Sequence, residues 1–189
     1  MKTSPIRQTQ TYFILSGAMG SGKTTLCQDL KANGQSVVDE PARQILAEQR
    51  SFGGSGVPEE DPHLFTNLLL SRTLYAYDFH QEAKQPILFD RGVPDILAYA
   101  KLFNLETTRF QKAAEIYRYN PTVFMMADWP EIYTTDEERK MTYEQAQRFG
   151  QTLRSIYQSL NYTVIDVPQM NIQDRSNFIR EHIHSRTEQ

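Results

Sequence analysis

Residues 17–24 read GAMGSGKT, and no other stretch of this 189-residue chain limits its fold so tightly. The run spells G-x-x-x-x-G-K-T. Glycines at 17, 20 and 22 free the backbone to wrap closely and turn successive N–H groups toward one point. Lys23 adds a point charge suited to the β- and γ-phosphates of a nucleotide, and the Thr24 hydroxyl is placed to ligate Mg²⁺. Gly17, Ala18, Met19, Gly20, Ser21, Gly22, Lys23, Thr24 and Thr25 together read as the nucleotide-binding stretch, for ATP or GTP. Such a loop works between a buried strand and the N-terminus of a helix, whose dipole favours phosphate. Both flanks are present. An apolar run, YFIL, fills 12–15, and a helical pattern runs from about 23 to 32 until Asn33 and Gly34 close it.

The same alternation continues along the chain. Short apolar runs at 36–39, 86–89, 122–127 and 162–167 read as strands. Between them, helices are expected from Pro41, over 62–83, 94–103, 107–119 and 143–160, with an amphipathic C-terminal helix marked by Ile172, Ile179 and Ile183. On the long helix over 62–83, Leu64, Leu68, Tyr75 and Phe79 fall near one face. Five strands alternating with helices call for an α/β fold of three layers, a mostly parallel sheet covered on both sides. Residues 1–10 read as a flexible tail and 11–187 as one domain, with the glycine-rich stretch 51–61 a mobile loop and 128–142 a lid.

Ligands of such sheets bind beyond the carboxyl ends of the strands, and acidic residues stand at two of those ends. Asp39 and Glu40 close the second strand, and Pro41 biases Glu40 toward extended backbone. Glu40, the preferred one of the two, can orient a hydroxyl that attacks the γ-phosphate or take its proton. Asp90 ends the third strand and can hold Mg²⁺ or act as the base; sequence alone does not divide those tasks between Glu40 and Asp90. Arg91, next to it, can reach a transferring phosphoryl group. In the 128–142 segment, Arg139, with Lys140 second, is the choice for neutralising charge on the γ-phosphate. Arg43, Gln44 and Arg72 are candidate lining residues of an acceptor pocket.

Composition narrows the partners. A net charge of −3 gives no long-range attraction to nucleic acid or an anionic membrane, so a nucleic-acid partner is not expected. The single cysteine, Cys27, excludes an internal disulfide framework. The polar start MKTSPIRQTQ is unlike a secretory signal, and no run approaches the length of a membrane span, so a cytoplasmic protein without membrane insertion is expected. A homodimer is left open.

In order, GAMGSGKT, DEPAR (39–43), FDRGVPD (89–95), the DEER segment (136–139) and YTVIDVP (162–168) resemble the small single-domain P-loop proteins labelled AAA-domain ATPases. They also resemble the ribosylnicotinamide kinase domain of bacterial NAD-biosynthesis regulators and, more loosely, deoxynucleoside kinases. The resemblance implies a kinase-type strand order, 2-3-1-4-5. It implies a substrate-hydroxyl contact at Glu40 and an acid–arginine pair at Asp90 and Arg91. The triplet here ends in Gly92 where deoxynucleoside kinases carry serine, and their several-arginine lid is reduced to Arg139 and Lys140. The expected activity is a Mg²⁺-dependent transfer of the γ-phosphate of ATP or GTP to a hydroxyl of a small, nucleoside-like metabolite. The alternative is a nucleotide-dependent regulatory module or an ATPase or GTPase acting through a protein partner. No Asn-Lys-x-Asp guanine-reading motif is present.

Overall fold

The computed structural model describes residues 5–132 and 141–187. Five parallel strands form the central sheet: β1 (Tyr12–Gly17), β2 (Ser36–Val38), β3 (Ile87–Asp90), β4 (Thr122–Met126) and β5 (Thr163–Val167). Their order is β2-β3-β1-β4-β5, the 2-3-1-4-5 order that the resemblance implies. Among the described residues, seven α-helices follow or link them: α1 (Lys23–Ala32), α2 (Ala42–Phe52), α3 (Pro62–Phe79), α4 (Val93–Leu102), α5 (Thr108–Ile116), α6 (Tyr143–Ser159) and α7 (Ile172–Thr187).

Alternation along the buried strands sorts side chains to two faces. Tyr12 and Ile14 join Phe89 and Met125 in a core closed by α3, α4, α5 and α6. Phe13 and Leu15 join Leu88, Phe124 and Met126 against Leu26 and Leu30 of α1 and Ile179 and Ile183 of α7. Register places Leu15 opposite Asp90 and Gly17 opposite Met126. The P-loop therefore leaves the middle of the sheet, with β3 on one side and β4 on the other.

Three local expectations are corrected. Arg7 and Gln8, in the expected N-terminal tail, form a short parallel pair with Tyr117 and Arg118. The Tyr77 hydroxyl anchors the pair, 2.7 Å from the Arg118 carbonyl oxygen and 3.1 Å from that of Arg7. The helix expected over 62–83 ends at Phe79, and its buried stripe is Phe65, Leu69, Thr73 and Tyr77. Tyr75 and Phe79 instead stack on each other in solvent, and Leu64 and Leu68 are half-buried. The glycine-rich stretch begins later than expected, because α2 runs to Phe52. Val57 within it is buried, and the Gly56 N–H donates to Gln49 Oε1 at 2.9 Å. No described helix is long and apolar enough to cross a membrane.

Candidate phosphoryl-transfer site

Gly17 is where the loop leaves β1. Its φ of 144° lies outside the range most residues adopt, and a Cβ there would come within 2.8 Å of the Met126 Cβ. Only glycine lets the loop pass this close to β4. At the far end, Lys23 is buried in the first turn of α1, and its Nζ donates to the carbonyls of Gly17 (3.2 Å) and Ala18 (3.0 Å). Burial, then the nearby Arg91 guanidinium, lower its pKa to about 8. Thr24 and Thr25 are exposed at the helix start and border the same cavity as Lys23.

The strand-end acids separate by environment. Asp39 points to solvent and pairs with Lys31 Nζ at 2.6 Å. Glu40 turns inward. Its Oε1 lies 2.7 Å from Arg91 Nε and accepts a hydrogen bond from the Tyr99 hydroxyl at 3.0 Å. Burial raises the Glu40 pKa, but Arg91 and Lys23 outweigh it and hold the carboxyl below its ordinary value. Asp90 shows the opposite balance. Burial first and Glu40 second raise its pKa to about 6, and its Oδ1 is buried without a hydrogen-bond partner.

Arg91 links these groups. It takes a positive φ of 69°, a strained state for a side chain of its size. Its Nη1 donates to the Gly17 carbonyl at 3.0 Å and lies 3.1 Å from Asp95 Oδ1. Asp95, fully buried, also accepts from Ser16 Oγ at 2.6 Å, from the Gly92 N–H at 2.9 Å and from the Tyr157 hydroxyl. Gly92 has a packing reason to differ from serine. A Cβ there would meet Ile14 Cδ1 at 2.5 Å and Tyr119 Cε2 at 3.3 Å.

A cavity of about 390 Å³ joins these parts. One end is the P-loop with Lys23, the middle is Glu40, Asp90 and Arg91, and the other end is walled by Leu46, Phe65, Tyr99, Leu102 and Phe103. Tyr99 and Phe103 stack with ring centroids 6.2 Å apart. Arg43 borders the cavity as expected, but Gln44 and Arg72 do not: both are bound to Glu48, at 2.8 and 2.7 Å. Met141 and Gln145 close the rim. Arg139 and Lys140 lie outside the described residues. Reading by motif missed Asp95, Tyr99, Ser16 and Tyr157. A signal was available for two of them, since Asp95 and Tyr99 lie four residues apart on the expected helix and so share one face of it.

The model of the AAA domain family matches residues 12–175. The chain belongs to the AAA domain family. No curated protein sequence matches it. Among solved structures, deoxyadenosine kinase from M. mycoides, with products dCMP and dCDP bound, is similar at a TM-score of 0.67 and 14% identity, over 92% of this chain and 99% of that one. NadR protein in complex with NR gives a TM-score of 0.66 at 20% identity, over 95% of this chain and 52% of that one. Shikimate kinase from Acinetobacter baumannii, in complex with shikimate, gives 0.56 at 17% identity over 94% of each chain. These likenesses establish a fold shared with P-loop kinases. This AAA domain has that fold with the strand-end carboxylates, the P-loop lysine and an aromatic pocket in one cavity.

Proposed function

We propose that the protein is a phosphotransferase that moves the γ-phosphate of ATP or GTP, with Mg²⁺, to a hydroxyl of a small metabolite. The observation that supports this reading most is the single cavity in which Lys23, Glu40, Asp90 and Arg91 meet an aromatic-walled end. A protein that only held a nucleotide has no use for that second compartment, whereas an acceptor needs it. Positioning and charge neutralisation supply most of the catalysis in such reactions.

The donor set fits Mg²⁺. The Asp90 Oδ1 is a buried carboxylate oxygen without a partner, and the Thr24 hydroxyl borders the same cavity. Mg²⁺ takes one or two such protein oxygens and completes its shell with phosphates and water. When bound, Mg²⁺ neutralises charge on the phosphates. Lys23 holds the β- and γ-phosphates, and Arg91 presents positive charge beside them. Glu40 orients the acceptor hydroxyl and takes its proton. Tyr99 and Arg91 both engage Oε1, which leaves Oε2 for that proton. Leu46, Phe65 and Phe103 exclude water from the acceptor end, so phosphate passes to the bound hydroxyl rather than to water.

The test is a panel of nucleosides, ribosylated heterocycles and small alcohols incubated with Mg·ATP or Mg·GTP, with mass spectrometry detecting any acceptor that gains phosphate. A phosphorylated product absent from the Lys23→Ala protein identifies the acceptor class. Nucleotide binding with no phosphorylated acceptor across the panel would instead favour a nucleotide-gated binding module.

A further inference from the structure

Glu40 depends on other elements for its aim. It lies just past the end of β2, a three-residue strand at the edge of the sheet, and its side chain is 23% exposed. A long, rotatable side chain carried there swings unless something holds it. Arg91 and Lys23 both attract the carboxylate, but a charge draws either of its oxygens alike. A hydrogen bond has direction. The donor that supplies one is Tyr99, whose hydroxyl meets Oε1 at 3.0 Å.

Tyr99 is itself held firmly. It is 5% exposed on α4. Its ring stacks on Phe103 at 6.2 Å and meets Phe149 of α6 at 5.2 Å, and the Arg91 guanidinium lies 5.6 Å from its centroid. Burial first, and the Glu40 charge with it, raise the hydroxyl pKa well above its ordinary value against the pull of Arg91. The hydroxyl therefore stays protonated and donates to the ionised carboxylate. The same ring walls the acceptor end of the cavity beside Phe65 and Leu102. One side chain thus touches both the acceptor's compartment and the base.

Resting on the phosphotransferase reading, we propose that Tyr99 is the positioning residue for Glu40: its hydroxyl fixes Oε1 and so keeps Oε2 turned to the acceptor hydroxyl. In the transfer, the acceptor oxygen bonds to the γ-phosphorus as the bond to the β–γ bridging oxygen breaks, leaving a nucleoside diphosphate. The acceptor's proton passes to Oε2, and Tyr99 keeps its own. The ring and the hydroxyl of Tyr99 have separable tasks, the ring in holding the acceptor and the hydroxyl in aiming the base.

The test uses the acceptor that the wild-type protein phosphorylates fastest among nucleosides, ribosylated heterocycles and small alcohols. Tyr99→Phe keeps the ring and removes only the hydroxyl. It is expected to lower kcat about tenfold or more, with acceptor KM and calorimetric nucleotide affinity each within about threefold of wild type. Tyr99→Leu, which also removes the ring, is expected to raise acceptor KM as well. The decisive reading is a double-mutant cycle with Glu40→Gln. If Tyr99 acts through Glu40, adding Tyr99→Phe to Glu40→Gln lowers kcat no further. A residue that only supports the fold would give losses that multiply. Multiplying losses, a kcat for Tyr99→Phe within about twofold of wild type, or a loss confined to KM would each overturn the proposal and leave the phosphotransferase standing. Nucleotide binding abolished by Lys23→Ala, with no acceptor phosphorylated by the wild-type protein, sinks both.

Discussion

Asp90 weakens the fold it belongs to when no nucleotide is bound. Its carboxyl is buried beside Glu40 and its pKa is raised to about 6 from an ordinary 3.8. A raised folded-state pKa favours the fold fully below the unfolded value, and that contribution is lost as pH rises through about 6. Above that pH the ionised, unpartnered oxygen is a liability. Asp90→Asn is thus expected to stabilise the protein, without nucleotide or Mg²⁺, by about 1–3 kcal/mol at pH 7.5. The gain shrinks toward pH 4, and urea titration at several pH values would show it. Lower stability of the variant at pH 7.5 would contradict the burial reading. Arg91 has the opposite role. Arg91→Met leaves the half-buried Glu40 and the fully buried Asp95 without their cation, so a loss of about 3–5 kcal/mol is expected in the same titration. Glu40→Gln should separate binding from chemistry. Nucleotide affinity is retained, whereas transfer to the acceptor falls about 100-fold or more.

Elements differ in how much of their placement the chain announces. The P-loop, the strands that carry it and the acids at the ends of β2 and β3 were legible, because each depends on a few residues at fixed spacing. The face of α3 was not. Leucines at 68–70 and aromatics at 65, 75, 77 and 79 surround this helix with apolar side chains, so spacing alone favoured the wrong stripe. Neighbours decide it: Tyr77 meets Tyr12 and Tyr119 edge-on inside the core, while Tyr75 and Phe79, both largely exposed, stack on each other and Phe79 meets His80. Leu69→Ala is accordingly expected to cost about 2–5 kcal/mol, and Tyr75→Glu less than about 0.5 kcal/mol, by thermal unfolding. The convergence of Ser16, Asp95 and Tyr157 was also hidden. They lie on three elements, and tyrosines on helices read as core wherever their hydroxyls end. The departure at Gly92 was visible in the sequence, but its cause, the crowding by Ile14 and Tyr119, was not.

At the scale of the whole molecule, one cavity joins a nucleotide loop built on β1 and α1 to an acceptor end built from α2, α3 and α4. The two ends are expected to respond separately. Phe103→Ala, which opens the aromatic wall, should raise the acceptor KM with nucleotide affinity unchanged, whereas Lys23→Ala should remove nucleotide affinity itself. The measurement that tests this arrangement most directly follows the label of γ-³²P nucleotide with and without an acceptor from the panel. The account predicts that label moves to the acceptor far faster than to water, and that neither product forms with Lys23→Ala. Label that reaches only water at a rate indifferent to every acceptor, while nucleotide still binds at the P-loop, would contradict it.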